Sequence, residues 1–82
     1  MAKLTKKQQS IIAQMIYIES YDDVLEETKL QRGELRDELI ELINKGYIEV
    51  HNHQDGSILR YYDSDNMHLF HFRATKAGLK QI

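Results

Sequence analysis

Apolar residues recur at Leu35, Leu39, Leu42 and Ile43. With each residue about 100° further round a helix axis, these four fall within roughly a quarter turn of one another, which predicts an amphipathic helix facing a core. Leucine and glutamate are good helix formers, and the chain contains no proline to interrupt them. Gly46 lies just past the last apolar pair, where a left-handed residue ends a helix at little cost, so the helix is expected to stop near Lys45. From there the period drops from about 3.6 to about 2 through Tyr47-Ile48-Glu49-Val50, the pattern of a strand leaving a helix. Opposite the leucine stripe lie Gly33, Asp37, Ile40, Glu41 and Asn44, with Glu34 and Glu38 on one shoulder and Arg32 and Arg36 on the other. The outward face of this helix is therefore acidic.

Upstream, Thr5-Lys6-Lys7-Gln8 fits a capping box, in which a hydroxyl and a glutamine side chain satisfy backbone amides at a helix start. Ile11, Ile12, Met15, Ile16 and Ile18 follow at mostly helical spacing and predict a first helix from Lys6 to about Glu19. Ser20-Tyr21-Asp22-Asp23 reads as a second cap, with both acids favourable at the positive end of the helix dipole. The short helix behind it is expected to bury Tyr21, Val24, Leu25 and Thr28. Thr28-Lys29-Leu30-Gln31 leaves room only for a turn, so helix, short helix, turn and longer helix stand in helix-turn-helix order.

Downstream, Tyr47 to His53 alternates as a strand, and the Asp55-Gly56 pair predicts a type I′ hairpin turn into a returning strand from Ile58 to Tyr62. Asp63-Ser64-Asp65-Asn66 is a second polar turn, and Met67 to Arg73 is expected as another strand, giving a hairpin or a three-stranded meander. Thr75 caps a short final helix running to Ile82. The predicted fold class is α+β in a single domain spanning residues 1–82.

At 82 residues and 41% hydrophobic content the chain has room for one modest core. Domains of this size bury only about 60% of their unfolded surface, so dimerisation is an expectation that size alone raises. The absence of cysteine excludes a disulfide framework and a cysteine zinc site. No apolar run approaches the roughly 20 residues of a membrane-spanning helix and no secretory leader pattern heads the sequence, so a cytoplasmic protein without membrane partners is expected.

The net charge of −2 supplies no global field for nucleic acid. Its distribution is uneven. Lys3, Lys6 and Lys7 make the start basic, whereas Glu19 to Lys45 holds nine acids against Lys29, Arg32, Arg36 and Lys45. A basic contact surface would have to be assembled locally from Arg32, Arg36, Arg60 and the terminal lysines. For the two helical arginines, bidentate contact with phosphate or guanine stands beside plain charge pairing of Arg36 with Asp37 or Glu41 on a solvated face. Ile40, off the core stripe, is expected to pack under the hairpin, with a partner surface as the other reading.

His51 and His53 share one strand face, and His68 and His71 fall in the strand expected opposite. A metal site needs three or four converging ligands, so these are read as solvated strand histidines and no metal or other cofactor is expected. Of Tyr61 and Tyr62 one should enter the core, as should one face of the Phe70–Phe72 segment, leaving base stacking as the lesser reading. No nucleophile, base and orienting acid assemble, and no glycine-rich phosphate loop is present, so an enzyme is not expected.

Leu30 to Val50 with the following hairpin, and Arg73-Ala74-Thr75-Lys76-Ala77-Gly78-Leu79-Lys80, together resemble a bacterial winged helix-turn-helix domain of the MarR or PadR kind. The motifs are a leucine-rich third helix, a Lys-Gly-Tyr-Ile exit into the wing and a Thr-x-x-Gly-Leu start to the next helix. The resemblance implies a winged-helix fold and a transcriptional regulator, with the third helix in the major groove of double-stranded DNA and the hairpin as a wing. By position it implies groove-facing Gln31, Arg32, Gly33, Glu34, Arg36 and Asp37, with Arg60 and the loop Gln54 to Ser57 in the wing. The alternative is a winged-helix module for protein association, through a homodimer or a basic partner that meets the acidic face of helices 2 and 3.

Overall fold

The structure is a computed structural model that describes residues 4–82. Lys3, grouped above with Lys6 and Lys7, lies outside the described residues. Helix α1 (Lys6–Ala13) starts on the expected capping box: Gln8 N–H donates to the Thr5 hydroxyl at 3.1 Å, and Thr5 N–H donates to the Gln8 side chain at 3.2 Å. It ends six residues before the predicted boundary. The chain turns at Gln14 so that the Met15 carbonyl accepts from Ala74 N–H at 2.8 Å, and a short strand β1 (Glu19–Ser20) forms where helix was expected. Ile11, Ile12 and Met15 are buried, but Ile16, Tyr17 and Ile18 are exposed. Cross-strand pairing thus overrides the helical spacing of the isoleucines.

Helix α2 (Tyr21–Thr28) begins at Ser20, whose hydroxyl accepts from Asp23 N–H at 3.1 Å, and ends at left-handed Lys29 (φ 62°). It buries Tyr21 and Val24, while Leu25 and Thr28 are only partly covered. Helix α3 (Arg32–Asn44) stops with Lys45 as C-cap and Gly46 left-handed (φ 79°), as the stripe predicted. Leu35, Leu39 and Leu42 are fully buried. Ile43 and Ile40 are half-buried against the same core, so Ile40 widens the apolar stripe and presents no open patch.

Strands β2 (Ile48–Asn52), β3 (Ile58–Leu59) and β4 (Phe70–Ala74) join β1 in a four-stranded antiparallel sheet of order β1-β4-β2-β3. Val50 opposes Phe72, and both turn inward with Ile48 and Ala74 onto the helices. The hairpin turn differs from the type I′ expectation. Asn52 N–H donates to Ser57 O at 2.8 Å, which leaves a four-residue loop, and of its residues only Gly56 has positive φ. Type I′ needs two such residues; here the Asn52 and Asp55 side chains bend the loop by accepting from Gln54 and Ser57 N–H.

The stretch expected to be strand from Met67 is instead a 3₁₀ segment, Ser64–Leu69, kinked at Asn66. Asp63 caps it by accepting from Asp65 N–H, and it packs across α2 and α3 with Met67 buried. Helix α4 (Lys76–Leu79) is a single turn capped by Thr75 and ends before Ile82. Among the described residues no helix is long and apolar enough to cross a membrane.

Candidate nucleic-acid interface

Among the described residues, three of the four α-helices begin on a hydroxyl cap: Thr5, Ser20 and Thr75. Helix α3 does not. Its N-cap is Gln31, which makes no side-chain capping bond, so the amides of the first turn receive no side-chain acceptor from that residue. Arg32, Gly33 and Arg36 lie beside this end, and all three are exposed. Arg32 pairs with Asp22 of α2 at 3.2 Å, with both side chains about two-thirds exposed (65% and 66%). Arg36 pairs loosely with adjacent Asp37 at 3.4 Å. Of the two partners weighed for Arg36, the structure selects Asp37; Glu41 instead accepts from the Gln8 side chain at 3.0 Å and pairs with Lys45 at 3.2 Å. The partner of Arg32 lies on another helix, which spacing along α3 could not disclose.

Glu34 leans to the far side of the helix, where it forms an ion pair with Lys7 of α1. That bond holds the Glu34 carboxyl below the usual glutamate range and the Lys7 ammonium above the usual lysine range. A backbone hydrogen bond from Gln31 lowers the Glu34 carboxyl further, so this carboxylate sits at the start of α3.

Arg32, Gly33 and Arg36 line one wall of a cleft of about 150 Å³; Tyr21 and Met67 line it too, and Ser64, Asp65 and His68 of the 3₁₀ segment close the other wall. Burial pushes the Tyr21 phenol above the ordinary tyrosine range, so it stays a neutral donor, and its hydroxyl donates to the Arg32 carbonyl. Of the residues singled out in the sequence, the structure brings Arg32, Gly33 and Arg36 together here. Gln31 and Asp37 are exposed on the helix outside the cleft, and Arg60 stands apart in the return of the hairpin. Sequence reading missed Tyr21, Ser64, Asp65, Met67 and His68 as cleft residues. Asp63 ahead of Ser64 was the available signal, since aspartate is a good helix N-cap and marks a helical turn as well as a loop.

No protein-family model, curated protein or solved structure matches the chain.

The histidines divide. His53 is exposed and its ring sits 6.4 Å from that of His71. His51 corrects the solvated expectation: it is buried, with Nδ1 2.7 Å from Gly56 O and Nε2 2.7 Å from a Glu49 carboxylate oxygen. It ties the hairpin loop to its own strand, because the loop folds back over the ring. Among the described residues no group of three or more histidine or carboxylate side chains converges as a metal site would require. Phe72 enters the core and Tyr62 packs against it, while Tyr61 is left exposed, as expected of adjacent residues on opposite faces.

Proposed function

We propose that the chain is a winged-helix domain that docks the amino end of α3 and the β2–β3 hairpin against duplex DNA. The observation that carries this reading is the open first turn of α3 with Arg32 and Arg36 beside it: backbone amides at a helix start and guanidinium groups are the donors that phosphate oxygens take. The order α1-β1-α2-α3 followed by a hairpin, with β4 between β1 and β2, agrees with a winged helix. Existing ion pairs do not hold the arginines back. An exposed pair contributes about 0–1 kcal/mol, so exchanging Asp22 for a phosphate on Arg32 is close to neutral.

A second reading is favoured by one observation. The described cations on or against α3, namely Lys7, Arg32, Arg36 and Lys45, each meet a carboxylate, and the middle of its outward face carries Asp37 and Glu41. Such a face suits a basic protein partner.

Fluorescence anisotropy of a random-sequence duplex separates the two. With Arg32, Arg36 and Arg60 as the contacting cations, roughly three phosphates are neutralised, and log K should fall against log salt with a slope of about −3. Arg36→Glu should abolish that binding. No binding near about 50 mM salt overturns the DNA reading and leaves association with a basic protein.

A further inference from the structure

We infer that the cleft between α3 and the 3₁₀ segment is a seat for one phosphate group of a small phosphomonoester. Arg32 and Arg36, one helical turn apart, line the cleft together with Ser64 and His68, and their guanidiniums meet the exposed Asp22 and Asp37 carboxylates. Gly33, beside the two arginines on the helix, adds no side chain to the cleft, and a Cβ added there meets nothing within 4 Å.

The donor inventory selects the ligand class. Each guanidinium offers five N–H donors in a fixed fork, and Arg32 uses only one nitrogen on Asp22 while Arg36 reaches Asp37 only at 3.4 and 3.5 Å. A tetrahedral phosphate dianion presents three terminal oxygens, enough to engage both forks and the Ser64 hydroxyl together; a carboxylate presents two. The cleft volume of about 150 Å³ exceeds what the phosphate group alone occupies, which leaves room beside it for the first atoms of the ester substituent. Asp65 on the 3₁₀ wall tempers the positive charge and keeps affinity low. This goes beyond the DNA reading and does not depend on it, although a DNA backbone phosphate shares the same chemistry.

The test is an amide chemical-shift titration with inorganic phosphate at constant ionic strength, compensated with chloride, on the full chain and on Arg32→Gln and Arg36→Gln. The expected result is saturable shifts at Arg32 to Arg36 and at Ser64 to His68, with roughly tenfold weaker binding in each variant. Spectral dispersion reports whether the variants are folded, and Ser64→Ala, remote from the core, is expected to weaken binding as well. Two results overturn the inference: shifts absent at saturating phosphate, or shifts of equal size in the arginine variants. A duplex arm distinguishes the sources. Phosphate binding with no duplex binding sinks the DNA reading alone, whereas duplex shifts at these amides without any response to free phosphate overturn the small-ligand seat.

Discussion

A methyl group on Gly78 would stand 2.1 Å from the carbonyl oxygen of Tyr47. That oxygen is fixed in place, because it accepts from Thr75 N–H at 3.0 Å while the Thr75 hydroxyl donates to Gly46 O at 2.7 Å. Backbone has to move to admit a side chain, so Gly78→Ala should destabilise by about 1–3 kcal/mol. Gly33 is the contrast. It lies inside α3 with open space around it, and Gly33→Ala should stabilise by about 0.4–1 kcal/mol. Urea unfolding of both variants checks the pair, and equal effects would show that the Tyr47 contact is not restrictive. No local pattern distinguished the two glycines. Gly78 was readable as part of a capped turn, but its partner is 31 residues away, and a contact across that distance leaves no local pattern. The same holds for Arg32, whose position on a shoulder of α3 was legible while Asp22 was not.

At the level of elements, what sequence discloses is what neighbours decide. The caps at Thr5, Ser20 and Thr75, the stripe of α3 and its stop at Gly46 are set by residues within a few positions, and all appear where expected. The end of α1, strand β1 and the 3₁₀ segment are set by β4 or by docking on α2 and α3, and apart from the Asp63 cap none left a local signal. The 3₁₀ segment and hairpin loop also depend on two carboxylates. The Asn66 amide and Asp65 N–H hold the Asp63 carboxyl below the usual aspartate range, and Ser57 holds Asp55 below it. A depressed folded value means the contribution is fully present above the unfolded value, near about 4, and is lost as pH falls through the folded one. Amide signals of residues 54–57 and 63–66 should therefore broaden or shift below about pH 4, ahead of the core. Asp63→Ala should loosen residues 63–66 already at neutral pH and remove their acid transition. An unchanged transition in the variant would assign it to another group.

Across the molecule, one core unites helices and sheet. Phe72 sits among the fully buried side chains with Ile11, Val24 and Leu39, so α1, α2, α3 and β4 all close on the same centre. The α+β class was legible because apolar periodicity and glycine positions alone dictate it. The candidate site was legible only in its helical half, Arg32, Gly33 and Arg36; its other wall comes from a segment whose conformation is imposed by packing. If the core forms as a unit, a fragment ending at Leu69 should lack fixed tertiary structure by near-ultraviolet circular dichroism, and a peptide of residues 67–82 should restore it. A folded fragment would show that the helices are self-sufficient.

The position of β4 has a consequence for biosynthesis. This strand lies between β1 and β2, with Phe72 opposite both Glu19 and Val50, and both partners precede it in the chain. Until residues 70–74 are available, β1 has no partner and β2 can pair only with β3, and the core cluster lacks Phe72. Pairing of β1 into the sheet is therefore expected only once residues 70–74 are available, which makes β4 the last strand to complete the sheet.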